Sequence, residues 1–282
     1  MTYAAVETKR KLNLNVLIGV AVLHLGALLA VFTFTWPAFW TFVFLVWLTG
    51  GIGICLTYHR LLTHKSFKCP KWFEYFLTFI GTLSFQGGAL RWVGTHRYHH
   101  ITSDTEDDPH NSNNGFWYSH MLWFFKYSPK LADRNFWIRY APELEQDPGH
   151  RFIEKYNSVG PYALAVILFL IGGFPFLVWG FFLRTAFVLH MTWLVNSATH
   201  RWGYQSFKSD DNSRNLWWVA LIGFGEGWHN NHHAFQYSAR HGLKWWEIDT
   251  TYIAIKLLSF VGLAKAIRVP ALSTLTGSKI TS

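Results

Sequence analysis

Residues 39–64 read FWTFVFLVWLTGGIGICLTYHRLLTH. From Phe39 to Tyr58 the stretch carries no charge and is long enough to cross a bilayer core as a helix, which takes about 20 apolar residues. It runs without a break into His59-Arg60-Leu61-Leu62-Thr63-His64, a pair of imidazoles five positions apart. A membrane-length segment that ends in metal-ligating side chains sets the reading of everything around it. The two histidines do not share a face on an ideal α-helix. The expectation is therefore that the helix ends between them, where the segment leaves the membrane.

Working outward, a first apolar stretch covers residues 14–34, joined to 39–58 by a short uncharged link containing Pro37. Lys9, Arg10 and Lys11 precede the pair, and Arg60, Lys65, Lys68 and Lys71 follow it. Positive residues on both outer ends predict a hairpin with both ends in the cytoplasm. A second hairpin is predicted over 156–171 and 174–198, turning at Gly172-Gly173-Phe174-Pro175. Arg184 lies inside its second arm, either as a functional charge or as a snorkelling side chain. Trp72–Trp92, Phe116–Tyr127 and Asn215–Gly227 are apolar but short or interrupted, and read as interfacial or cap helices. Ser103–Asn114 reads as a loop and the residues after Leu272 as a frayed tail. The fold class is all-α and integral to the membrane: one domain over 1–282, four spans in two hairpins, and a cytoplasmic cap built from 59–155 and 199–272.

Composition agrees. Half the residues are hydrophobic, 19% are aromatic and only 15% are charged, against about 25% in soluble domains. Belts of Trp and Tyr at a lipid–water boundary account for part of the 16 Trp. The net charge of +9 suits cytoplasmic retention and attraction to anionic lipid, or docking of an acidic protein. The basic residues form no concentrated tract, so nucleic acid is not an expected partner. Two cysteines without a CxxC support neither a disulfide framework nor an iron–sulfur site. The N-terminal residues do not read as a signal peptide.

Fifteen histidines are present, and most fall in patterns. Besides His59 and His64, there are two HxxHH boxes, His96-Arg97-Tyr98-His99-His100 and His229-Asn230-Asn231-His232-His233. His200 stands alone, one helical turn after Asn196. Chance would produce roughly 0.04 such boxes at this histidine frequency. Positions i, i+3 and i+4 share a helix face, so each box is expected to aim three rings at one point. The nine histidines 59, 64, 96, 99, 100, 200, 229, 232 and 233 exceed the needs of one metal, and two metals with four or five ligands each would use the set. Neutral nitrogen ligands without thiolates argue against iron–sulfur chemistry. An iron pair with open positions can activate O₂. If Trp72–Trp92 crossed the membrane, His96 and His59 would lie on opposite sides, so the metal reading requires that segment to stay on the cytoplasmic side. His24 and His190 inside the spans read as satisfied buried histidines, and His110, His120, His150 and His241 lie outside the boxes. Glu226 reads either as the orienting partner of a ligand or as half of a salt bridge. Asp104, Glu106, Asp107 and Asp108 read as a solvated acidic loop.

At these boxes the sequence resembles the membrane fatty acid desaturases, and most of all the delta-9 acyl-lipid desaturases of cyanobacteria and plants. The resemblance runs from about Gly50 to Gly262. Its specific pieces are residues 57–64 (TYHRLLTH), 92–100 (WVGTHRYHH), 107–112 (DDPHNS), 193–200 (WLVNSATH) and 225–233 (GEGWHNNHH). The resemblance implies a diiron centre held by the nine histidines, with Asn196 reaching one iron through water and Trp92 lining an acyl tunnel. It also implies O₂ as co-substrate, a cis double bond placed in a saturated stearoyl-type chain of a membrane glycerolipid, and two electrons from an external ferredoxin. The location it implies is a thylakoid or plasma membrane with both termini cytoplasmic. Gly94 and Thr95 stand where acyl-CoA relatives of animals carry an Arg-Asp pair, which favours a lipid-bound chain over a CoA thioester. An acyl-CoA desaturase and a diiron membrane hydroxylase or ketolase remain alternatives on spacing alone. A metal transporter instead calls for ionisable ligands near mid-membrane, whereas these histidines cluster at helix ends or beyond.

Overall fold

A long apolar helix needs a defined start, because its first amides have no partner within the helix. Two of the long helices open on such a cap in the computed structural model, which describes residues 11–277. Asn13 Oδ1 accepts from the Val16 amide at the head of Leu14–Leu28, and Thr35 Oγ1 accepts from the Ala38 amide at the head of Trp36–Val46, with Pro37 in its first turn. Among the described residues the secondary structure is helical, with isolated bridges and no strands. Lys9, Arg10 and the N-terminal residues before them, and the tail beyond Gly277, lie outside the described residues.

Three helical runs are long and apolar enough to cross a membrane: Leu14–Phe32, Trp36–Thr63 and Val159–His200. The third, at 42 residues, is two arms. Gly173 sits at φ 64°, ψ −155°, a backbone setting that only glycine adopts without strain, with Pro175 two residues on. A Cβ on Gly180 would lie 2.9 Å from Leu168 Cδ1, although twelve residues of straight helix would separate these positions by about 18 Å. The chain therefore doubles back at the predicted Gly-Gly-Phe-Pro turn. The first arm starts at Val159 rather than 156. Arg184, in the second arm, does not snorkel. It is fully buried, its Nη1 donating to the Leu83 carbonyl at 2.6 Å and its Nε to Gly180 at 3.0 Å.

The second helix does not stop between His59 and His64, as the α-helical argument required. Its bonding changes from i→i−4 to i→i−5 at Trp47 and stays so through Thr63, with His64 as the cap residue. Tyr58 packs against Gly81 of the Lys71–Thr82 helix, where a Cβ would fall 2.2 Å from the phenol ring. Trp72–Trp92 is likewise not one segment. A turn with Phe85 at φ 64° and Gly87 at φ 93° divides it, and Ala89–Thr102 begins a new helix. Short helices between 112 and 155, with Trp217–Ile222, His229–Ala234 and Thr250–Phe260, complete the cap. Leu272–Gly277 forms a last short helix where a frayed tail was expected.

Candidate metal centre

The i→i−5 pattern is what makes the first histidine pair usable. The His64 amide donates to the His59 carbonyl at 3.1 Å, so residues five apart stack in successive turns and their ring centroids stand 4.8 Å apart. Each HxxHH box lies on a true α-helix, but its three rings do not converge. Along a helix i and i+4 differ by about 40° and i+3 falls about 100° from i+4. His96 and His100 accordingly turn one way and His99 the other, while His229 and His233 turn together and His232 apart.

Two groups result. His59, His64, His96, His100 and His232 offer nitrogens that all lie within 4.8 Å of one another, and so do those of His99, His200, His229 and His233. Facing Nε2 atoms stand 3.1 Å apart for His59 and His232, 3.1 Å for His96 and His100, and 3.0 Å for His200 and His229. Ligands about 2.1 Å from a shared ion lie about 3–4 Å from one another. His64 Nε2 and His233 Nε2 are buried without a partner. Buried nitrogens left unpaired are costly unless something fills the space between them. The donor set thus fits two metal ions. Asn196 lines the cavity that passes His59, His96 and His229.

On four of the rings a carboxylate stands at Nδ1 and leaves Nε2 free to bind. His99 Nδ1–H donates to Asp108 at 3.0 Å, His200 to Asp104 at 2.9 Å and His233 to Asp211 at 2.5 Å, and His59 Nδ1 lies 2.7 Å from Glu226 Oε2. The acidic run is therefore not simply a solvated loop, since Asp104 and Asp108 are supports of the site. Asp211 carries no pattern that sequence reading could have caught. Glu226 takes both of its expected roles, because Arg60, fully buried, also donates to its Oε1 at 3.1 and 3.0 Å and to Asp249 at 2.9 Å. Burial alone would raise the Glu226 carboxyl, but Arg60 and His59 hold it well below the usual range. Burial pushes His64, His96, His100, His229 and His232 well below the ordinary imidazole value, keeping them neutral as ligands must be. His99, equally buried, is held above it by Asp108.

The remaining histidines divide. His241 Nδ1 stands 3.1 Å from Glu226, and His110 packs on His99 with ring centroids 4.2 Å apart. His24, His190 and His120 satisfy one another in a line, at 2.9 Å each, that ends on Ser197 Oγ at 3.0 Å. His150 pairs with Glu74 at 2.8 Å.

A cavity of about 130 Å³ runs beside both groups. Its walls include Trp92, Ile54, Cys55, Leu189, Met191, Trp193 and Gly223. Trp92 Nε1–H donates to Gln86 Oε1 at 3.1 Å and Gln86 Nε2 donates to Thr192 Oγ1 at 2.8 Å, so two polar residues orient the indole in an otherwise apolar wall. Sequence reading missed Gln86 and Thr192, which lie 106 positions apart.

Two imidazole clusters able to hold metal ions, set along a largely apolar cavity between long apolar helices, define the class. The chain belongs to the fatty acid desaturase family, whose model matches residues 34–256. It is 51% identical over 268 residues to the sn-1 stearoyl-lipid 9-desaturase of Anabaena variabilis, an alignment covering 94% of this chain and 97% of the relative. It is 53% identical over 250 residues to the protein of the same name from Synechocystis sp. (strain ATCC 27184 / PCC 6803 / Kazusa), covering 88% and 78%. The sn-2 palmitoyl-lipid 9-desaturase of Nostoc sp. (strain 36) is 49% identical over 247 residues, covering 87% of each.

Proposed function

We propose that this protein is an O₂-dependent acyl-lipid desaturase that places a cis double bond at the 9 position of a saturated stearoyl-type chain in a membrane glycerolipid. The observation that carries this reading is the apolar cavity running beside two all-imidazole pockets. A mid-chain methylene offers no acidity and no polar handle, so acid–base chemistry alone has nothing to act on. Two irons, once bound, supply O₂ activation and the removal of hydrogen from unactivated carbon. In balance, the chain loses two hydrogens, O₂ takes four electrons (two from the substrate and two from outside), and two external protons complete two molecules of water. We assign the two-electron donor as ferredoxin. His59, His64, His96, His100 and His232 would hold one iron. His99, His200, His229 and His233 would hold the other, with Asn196 reaching it through water.

The chain's own residues supply position. Trp92, held by Gln86 and Thr192, gives the cavity a fixed wall beside His59 and His96, so one methylene pair of a threaded chain meets the metals. The topology we propose is four spans in two hairpins, with the third long helical run counted as two, both outer ends cytoplasmic, in a thylakoid or plasma membrane. The long apolar helices and the basic residues flanking them support it. Expression in a desaturase-deficient host, with the double bond located by mass spectrometry, tests the reaction. A new monoene unsaturated at carbon 9 is expected. No monoene, or a hydroxylated chain, would contradict it.

A further inference from the structure

Of all the residues lining the cavity beside the metal pockets, Arg91 alone is exposed, and the others are buried or partly so. It therefore marks the mouth. Ile54, Cys55, Met191 and Gly223, which also line it, are buried. Arg91 lies in the first turn of the Ala89–Thr102 helix, where the macrodipole opposes a cation. Glu154 is the one acid whose charge favours it, but that carboxylate makes no ion pair with Arg91 and its Oε2 accepts from the Leu90 amide at 2.8 Å. Lys130, in the neighbouring segment, is already engaged with Tyr98 and Asp107. The Arg91 guanidinium instead lies over the Trp137 ring, 5.8 Å from its centroid, a stacking that orients it without neutralising it.

We propose that Arg91 is a specificity-determining residue that pairs with the phosphate-bearing head group of the lipid substrate at the mouth of the acyl cavity. This rests on the desaturase reading. Arg91 precedes His96 by five positions, roughly 7–8 Å along the helix axis. Eight bonds of extended chain, from the ester carbon to carbon 9, cover about 10 Å. With carbon 9 beside His96, the ester and the oxygens beyond it arrive within reach of a long side chain rooted at position 91. A planar, permanently charged fork suits phosphate oxygens better than the hydroxyls of an uncharged glycosyl head group.

The test uses the full-length, iron-loaded protein and its Arg91→Gln and Arg91→Lys variants, with stearoyl-bearing phosphatidylglycerol, the matching monogalactosyl lipid and stearoyl-CoA, whose phosphates share the same chemistry. The proposal expects R91Q to lower the phosphatidylglycerol-over-galactolipid preference in kcat/KM by about tenfold, mainly through KM, with R91K restoring most of it. Native mass spectrometry of the unreacted protein is expected to show bound phosphatidylglycerol retained by wild type and lost by R91Q. An equal change for both lipids, no change for either, or an effect confined to stearoyl-CoA would overturn it. If wild type desaturates none of the three, the desaturase reading fails, and the mass-spectrometric comparison still decides the head-group contact on its own.

Discussion

Asp104, Asp108, Asp211 and Glu226 do for this site what the imidazoles cannot do alone, since a ring bound at Nε2 is oriented by what holds Nδ1. Replacing Asp211 or Asp104 by Asn keeps the shape and removes the charge. Each change is expected to weaken metal binding about 10- to 100-fold, read by competition with a chelator; unchanged affinity would show that these carboxylates only close a loop. Acid acts through the same residues. The buried imidazoles of His64, His96, His100, His229 and His232 have folded-state values below 6.5, so as pH falls through 6.5 the unfolded chain takes up protons that the folded chain refuses, and stability declines. Asp104, Asp108 and Asp211 are depressed by their histidine partners against the effect of burial, and they add stability that is present above their unfolded value of 3.8 and lost below it. Chelator-treated protein is therefore expected to melt at a lower temperature at pH 5 than at pH 8 in the same detergent. A melting temperature that does not move, or moves the other way, would contradict the burial of neutral rings.

At the scale of helices, the site depends on how three backbones are wound and how closely they approach. Gly94 is one such close approach. A Cβ there would stand 2.9 Å from Trp137 Cα and 3.0 Å from its carbonyl oxygen, and backbone cannot move aside as a side chain can. Gly94→Val should push the Ala89–Thr102 helix off Arg134–Tyr140, costing about 1–3 kcal/mol, seen as a lower melting temperature, and pull His96 and His100 from their partners, seen as reduced metal content. Full metal content with an unchanged melting temperature would sink that argument. The elements were only partly legible in advance. Hydropathy located the apolar runs, because length and absence of charge are local properties, and the Gly-Gly-Phe-Pro turn announced itself by composition. The i→i−5 winding of Trp47–Thr63 has no such signal, so the pairing of His59 with His64 was explained by a helix end that does not exist. The HxxHH boxes were correctly placed on helices, yet shared-face reasoning stopped short of the step between i+3 and i+4, which sends one ring of each box to the other pocket. Asp104 looked like a solvent-facing charge because its partner His200 lies 96 positions away in sequence.

Across the whole molecule, the fold brings histidines between positions 59 and 233 to one place beside the cavity, and the first and second hairpins meet where Gly26 packs on the Phe182 ring and Gly180 on Leu168 and Leu45. The depth of that cavity should set which chains fit. Met191, which lines it with Cys55 and Gly223, offers the simplest change. Met191→Trp should shift products from eighteen toward sixteen carbons, read by gas chromatography of total lipid, whereas an unaltered chain-length profile would show that Met191 does not bound the chain. The account as a whole stands on two separate metal positions formed by histidines far apart in the chain. Crystals of the iron-loaded protein, measured at the iron absorption edge, test this directly. Two anomalous peaks per chain are expected, one about 2.1 Å from the Nε2 atoms of the His59, His64, His96, His100 and His232 group and one at the same distance from the His99, His200, His229 and His233 group. A single peak, or peaks away from these rings, would contradict it.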